Sequence, residues 1–320
     1  MFCSKGGSVA LLANWTKTGA ESLGNLLVVI TTKGEVLVFS GTDPSAIDLD
    51  PAKWNFEGKF EIPAVLPDSN AVRVGGDLVI MTVEGYIGLG DLLNASFINT
   101  DKALSNKIDA AVKEVVRFKD FQHWNLTFSI GENILIANVP RTKNLGKYKT
   151  DQHVLNLSTG AWCRFVGLDA TCFVTFRDSI YFGKVEGGLF EMFKGDTDAG
   201  QYIKGYVQQA YSNFGSPKIK TFKRMDIIAS NSLGINFAMN FSVDFRRAAN
   251  NANVSVTPIG ATWDNTVWDT SLWNSGGVSR LVPTVINANS GVFGSVGISV
   301  YTNYSDIKWY STILTMSIAK

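Results

Sequence analysis

The sequence predicts an all-β protein: a partial or small β-propeller-like domain with one inserted helix, followed by a β-sandwich or jelly-roll-like domain. Three observations carry this expectation. Apolar strand, glycine-ended polar turn and second apolar strand recur along the first two thirds; one segment has helical periodicity; and the last third holds a long strand of two-residue alternation.

The recurring unit reads LLVVITTKGEVLVFSG over 26–41, DLVIMTVEGYIGLGD over 77–91 and DSIYFGKVEGGLFEMFKG over 178–195. Gly34, Gly85 and Gly187 each follow a charged residue at the hairpin tip. Tight hairpin turns need positive φ, which strains any residue with a Cβ, so Lys-Gly or Glu-Gly there stands in for the commoner Asn-Gly. Hairpins repeating at intervals of roughly 40 to 50 residues suggest propeller blades, each of which buries its faces only by stacking on neighbours. Residues 1–205 are read as this domain. Further strands are expected at Leu126–Ile130, Asn133–Val139, His153–Leu157 and Ala161–Phe165, with Trp162 packed between blades.

The helix is expected from about Asp101 to Phe118. Leu104, Ile108, Ala111, Val115 and Phe118 recur at helical spacing, Lys107, Lys113, Glu114 and Arg117 face outward, and Thr100 or Asp101 is placed to cap it. Residues 206–223, with Gly215, Ser216 and Pro217 followed by Lys218, Lys220 and Lys223, read as a crossover linker. The segment 224–320 reads as the sandwich. Its clearest strand alternates Ile235, Phe237, Met239, Phe241, Val243 and Phe245 with Asn236, Ala238, Asn240, Ser242 and Asp244.

Composition narrows the function. Lys plus Arg total 29 against 28 Asp plus Glu, a formal net charge of +1, so no global charge draws the chain to nucleic acid or a membrane surface. Its apolar runs are far shorter than the roughly 20 residues a membrane helix requires, which predicts no membrane span. The N-terminus lacks the basic start and apolar stretch of a secretory signal, so synthesis in the cytoplasm without export by that route is expected. Cys3, Cys163 and Cys172 are an odd number without metal-ligand spacing and suit free thiols.

No Gly-x-Ser-x-Gly elbow, phosphate-binding glycine loop or His-Glu-x-x-His is present, and His123 and His153 read as ordinary strand-end or loop residues. The chain is therefore expected not to be an enzyme and to need no cofactor or metal. Two alternatives stay open. Asp196-Thr197-Asp198-Ala199-Gly200 begins like a calcium loop but lacks its closing Glu, so an Asp-stabilised turn competes with a cation site. Glycoside hydrolysis by two carboxylates from distant segments leaves no local motif to find. The most unusual local feature is Trp263-Asp264, Trp268-Asp269 and Trp273-Asn274. Trp263, Trp268 and Trp273 are a possible interface, with loop pinning and glycan stacking as the other readings.

Several stretches resemble a known family. They are Gly34-Glu35-Val36 through Phe39-Ser40-Gly41-Thr42-Asp43-Pro44-Ser45, Trp54 with Gly58-Lys59-Phe60, Gly75-Gly76-Asp77-Leu78, Asn156-Leu157-Ser158-Thr159-Gly160-Ala161-Trp162-Cys163, Tyr181-Phe182-Gly183, Asp198-Ala199-Gly200 and the Trp-Asp series. Across roughly residues 25–275 the chain resembles tail and head-to-tail structural proteins of tailed bacteriophages, particularly the propeller-bearing nozzle or "stabilisation" proteins of short-tailed phages and prophages. The resemblance implies a virion component in the tail. Its partners would be further copies in a ring, six-fold by that resemblance, neighbouring tail or adaptor proteins, and packaged DNA passing through a lumen without sequence-specific binding. It transfers no active-site residue. Only about four blades can be counted, so another chain is expected to supply what closes the ring. A carbohydrate- or receptor-binding β module, or a glycan-cleaving enzyme, is the competing reading.

Overall fold

A computed structural model describes residues 3–16, 25–46, 53–90, 103–118, 122–144, 147–231, 235–246, 251–256, 280–302 and 307–319. The chain separates into two compact units, Met1–Met192 and Phe193–Lys320.

Runs such as Leu-Val-Ile-Met in 78–81 put large apolar side chains on both faces of a strand, which suits a sheet covered on both sides. The first unit uses them in four antiparallel meanders. Blade 1 comprises β1 (Val9–Thr16), β2 (Asn25–Thr31), β3 (Glu35–Gly41) and β4 (Trp54–Glu61); blade 2 comprises β5 (Val72–Val74), β6 (Asp77–Thr82) and β7 (Gly85–Gly88). Blade 3 comprises β8 (Asn125–Ser129), β9 (Ile134–Asn144), β10 (Lys147–Asn156) and β11 (Ala161–Val166); blade 4 comprises β12 (Ala170–Phe176), β13 (Ser179–Lys184) and β14 (Leu189–Glu191). Each blade pairs only consecutive strands, the up-and-down pattern of a propeller blade.

The blades stack through three cores. Val28, Ile30, Val36 and Val38 of blade 1 meet Leu78, Ile80 and Ile87 of blade 2. The alternate residues of that same strand, Val79 and Met81, turn with Tyr86 toward Leu126, Leu135, Ala137 and Leu155 of blade 3. Ile134, Ile136 and Val154 on the other side of blade 3 meet Phe173, Ile180 and Phe182 of blade 4.

Polar side chains fasten the same seams by bonding backbone groups, which are costly to bury without a partner. Trp15 Nε1 donates to the Gly76 carbonyl at 3.0 Å and Arg73 Nε to the Asn14 carbonyl at 2.7 Å. Asn70 accepts from the Leu126 N–H at 2.6 Å and donates to the Leu126 carbonyl at 2.8 Å. The Ala170 carbonyl accepts from Asn138 at 3.1 Å and from the Thr150 hydroxyl at 2.9 Å.

The three expected tip glycines all adopt positive φ: Gly34 at 81°, Gly85 at 145° and Gly187 at 95°. At Gly34 a Cβ would also stand 2.1 Å from the Ile62 carbonyl oxygen. The helix is shorter than expected: a 3-10 turn, Asn106–Ile108, leads into α1 (Asp109–Val116). Thr100 and Asp101, the expected caps, lie outside the described residues. Val112 of α1 is buried in the seam between blades 2 and 3, and Trp162 packs there too, 5.9 Å from the Tyr86 ring.

The second unit is two facing sheets. One orders β15 (Ile203–Gln208), β20 (Gly294–Thr302), β17 (Ile235–Val243) and β18 (Asn251–Val256); the other orders β19 (Arg280–Gly291), β16 (Lys220–Asn231) and β21 (Ile307–Ile318). Phe237, Met239 and Phe241 of β17 and Val296, Ile298 and Val300 of β20 meet Phe222, Met225 and Ile227 of β16 in its core. Two expectations need correction. The segment read as the end of the first domain and start of a crossover contains β15, which pairs Ile203 with Thr302 and Gln208 with Gly297; a partner so distant in sequence leaves no local signal. Phe245 does not continue the alternation, because Asp244 and Phe245 take φ of 48° and 62° and turn the chain.

Lys220 is fully buried, and its Nζ donates to the carbonyls of Ser216, Lys218 (3.0 Å) and Val292 (3.1 Å). Among the described residues no helix is long and apolar enough to cross a membrane.

Candidate functional site

The stack of blades has two ends, and both keep apolar side chains in water. On β12 and β14 of blade 4 the alternation that sends Phe173 and Phe190 into the core sends Val174, Phe176 and Leu189 the other way, where they are 55%, 57% and 72% exposed. Cys172 is exposed beside them, and Arg177 lies over the Phe176 ring at 5.1 Å. On the outer face of blade 1, Val9 and Leu12 are 47% and 65% exposed. The other edge of that face is polar. Glu35, fully buried, pairs with Lys59 at 2.7 Å and accepts from the Ser4 N–H at 2.9 Å and hydroxyl at 2.8 Å. The Lys59 ammonium, with these hydrogen bonds, holds its carboxyl down at about 2.

Titratable groups gather in the seam between blades 2 and 3. His153 lies within β10 and is buried, which corrects its reading as a strand-end or loop residue. Its Nδ1 stands 2.8 Å from the Tyr86 hydroxyl. Burial pushes the phenol up and the imidazole down to about 4, with the Arg164 charge adding to the latter, so both are neutral near pH 7. Asp151, two residues earlier on the same face, lies 3.7 Å from Arg141 of β9 and 3.9 Å from Arg164 of β11. Burial raises its carboxyl pKa against the pull of both arginines. This arrangement ties three adjacent strands by charge. The negative charges of Asp169 and Glu114 push the Asp151 carboxyl pKa up as well.

In the second unit, Tyr206 and Tyr301 are exposed on the sheet face opposite the core. The register pairs Lys204 with Tyr301 and Tyr206 with Ser299, making the two tyrosines diagonal neighbours, and Lys204 Nζ lies 5.4 Å from the Tyr301 ring centroid.

Trp263, Trp268 and Trp273 lie outside the described residues. Asp196–Gly200 forms a turn: Asp198 and Gln201 exchange backbone hydrogen bonds of 3.0 and 2.9 Å, and the Gly200 N–H donates to the Thr197 hydroxyl. Among the described residues no group of three or more His, Cys, Asp or Glu side chains is placed to hold a metal. The end faces and the Tyr86–His153 contact had no signature in the sequence, because each is assembled from separate hairpins.

No family model and no curated protein matches the chain. Among solved structures it is similar to an exo-β-1,3-galactanase from Phanerochaete chrysosporium at 8% identity and a TM-score of 0.27, over 91% of this chain and 78% of that one. It is likewise similar to a glycoside hydrolase family 43 arabinoxylan arabinofuranohydrolase from Bacillus subtilis at 8% identity and a TM-score of 0.28, over 96% and 79%. Both are glycan-cleaving enzymes by name, against the expectation of a non-enzyme drawn from missing motifs. At this identity and these scores the likeness carries no residue and no reaction over to this chain.

Proposed function

We propose that the chain is a subunit of a larger protein assembly, with the tail of a phage virion as the specific form. The observation that carries the assembly reading is the outward face of blade 4. Each of the three preceding blades has the corresponding face covered by the next blade, whereas here Val174, Phe176 and Leu189 remain in water. Contiguous exposed apolar surface on a folded domain marks an interaction site. The virion itself rests on the resemblance of the hairpin and Trp-Asp stretches. Mass spectrometry of purified particles tests it: the chain is expected among the virion proteins, and its absence there overturns the virion reading.

A second reading, a carbohydrate-binding module, is favoured by the Tyr206–Tyr301 pair. Exposed aromatic faces with a neighbouring Lys and Gln208 offer stacking plus hydrogen-bonding groups of the kind sugars use. Calorimetric titration with soluble oligosaccharides tests it: binding abolished by Tyr301→Ala supports the module, and no heat with any glycan removes it.

A further inference from the structure

We propose that the β9–β10 hairpin of blade 3 is an arm that binds the phosphate backbone of duplex DNA. β8 pairs with β9 only from Ile134 to Asn138, and β11 pairs with β10 only from Asp151 to Asn156. Beyond Val139 and Thr150, both buried, the two strands pair only with each other among the described residues, as a two-stranded ribbon standing out of the blade. Between Glu132 and Asp151 the sequence has no acidic residue and four basic ones, Arg141, Lys143, Lys147 and Lys149. The balanced charge of the whole chain conceals this local run. The register sets Asn144 against Lys147, Lys143 against Tyr148 and Thr142 against Lys149, with Arg141 in the bulge below, so every rung beyond the bulge carries one cation.

Like charges on successive rungs repel, and a lone two-stranded ribbon is marginal in water, so this charge works against the hairpin until a polyanion answers it. The first acid beyond the ribbon, Asp151, is engaged at its base, 3.7 Å from Arg141 and 3.9 Å from Arg164. Arg141 and Lys149 are exposed. Strand residues rise about 3.4 Å, and each strand of a DNA duplex carries one phosphate per about 3.4 Å of axis, so the cations run at the spacing of the charges they meet. The B-form major groove admits a two-stranded β-ribbon, whereas the major groove of A-form RNA is too narrow for side chains to enter. Shape and charge together favour duplex DNA. The arm goes beyond the assembly reading and stands without it.

Fluorescence anisotropy of a short labelled DNA duplex with the full chain tests the arm. Four phosphate contacts give a slope of log K on log salt of about −3.6, hence a loss of affinity of about 150-fold between about 50 and 200 mM salt. Lys143→Gln with Lys147→Gln and Lys149→Gln is expected to weaken binding at least ~10-fold at the lower salt and to bring the slope to about −0.9. Circular dichroism should find this variant folded, since the ribbon lies outside the cores; if it is not, Lys149→Gln alone should still lower the slope by about 0.9. A variant losing the same charge elsewhere, Lys33→Gln with Lys113→Gln and Lys308→Gln, all at exposed positions, is expected to bind as wild type. No binding at the lower salt with about 100 μM protein, a flat salt dependence, or equal weakening by both triple variants would overturn the proposal. So would polyglutamate displacing the duplex at equal charge, which assigns the arm to an acidic protein. A ribbon variant that aggregates while binding DNA unchanged would overturn it too, leaving the lysines as guards of the ribbon's open edges.

Discussion

Acid should loosen the seam between blades 2 and 3 through His153. The imidazole is buried against Tyr86, and its pKa falls from 6.5 to about 4. Below pH 6.5 the unfolded chain takes up a proton that the folded chain refuses, so stability present at neutral pH is lost as pH falls toward 4. With those two values the loss at about pH 4.5 is about 2–3 kcal/mol. Asp151 works in the opposite sense, because its raised pKa lets the folded state protonate first. The readout is therefore a comparison with His153→Gln, which keeps an acceptor for the Tyr86 hydroxyl and cannot titrate. Native-state hydrogen exchange of the β8–β10 amides isolates this seam from the second unit, whose separate unfolding would blur a global denaturation curve. The chain has only two histidines, so one variant also assigns their proton resonances for direct titration. A His153 resonance titrating near 6.5, or a His153→Gln protein with the wild-type acid sensitivity, would refute the argument.

Three further outcomes are expected. Asn70→Ala strands the N–H and carbonyl of buried Leu126, which should cost about 2–4 kcal/mol and open blades 2 and 3 to exchange; an unchanged exchange pattern would show that the pair contributes little. Gly34→Ala meets both a φ of 81° and a carbonyl oxygen 2.1 Å from the new Cβ, so the first unit should lose several kcal/mol, about 3 or more, in a thermal melt. Lys59→Met removes the charge that holds Glu35 low, and the acid unfolding midpoint should move to higher pH; a midpoint unmoved or lowered contradicts the role given to Lys59.

The blades were legible because their cause is local. A glycine at a charged tip, flanked by two apolar runs, states both the turn and the double-sided burial of the strands, and Gly34, Gly85 and Gly187 all take the backbone that this demands. What joins blade to blade was not legible. Asn70 and Leu126 are 56 positions apart, and Tyr86 and His153 are 67 apart, so neither partner looks unusual where it stands. The same reason hid β15, whose pairing partner lies near the other end of its unit. The helix was overextended because Leu104 keeps helical spacing with Ile108 while its backbone belongs to the preceding turn, where its N–H bonds Tyr86 and its carbonyl accepts from Trp162. The assembly and sugar readings turn on side chains whose meaning is their exposure, a quantity fixed only when every other strand has found its place.

Because the seams between blades are separate, the first unit should come apart like a zip rather than all at once. Blades 2 and 3 are packed on both faces, while among the described residues blade 4 packs on one face, through Ala170, Phe173, Ile180 and Phe182. In such a stack each unit's resistance to opening depends on how many neighbours it keeps, and fraying starts at an end. Peeling would begin at blade 4 and stop at the Ala170 carbonyl, where Asn138 and Thr150 of blade 3 both hold on. The weakest point of a lone chain and the place where it gains most from company are then the same sheet.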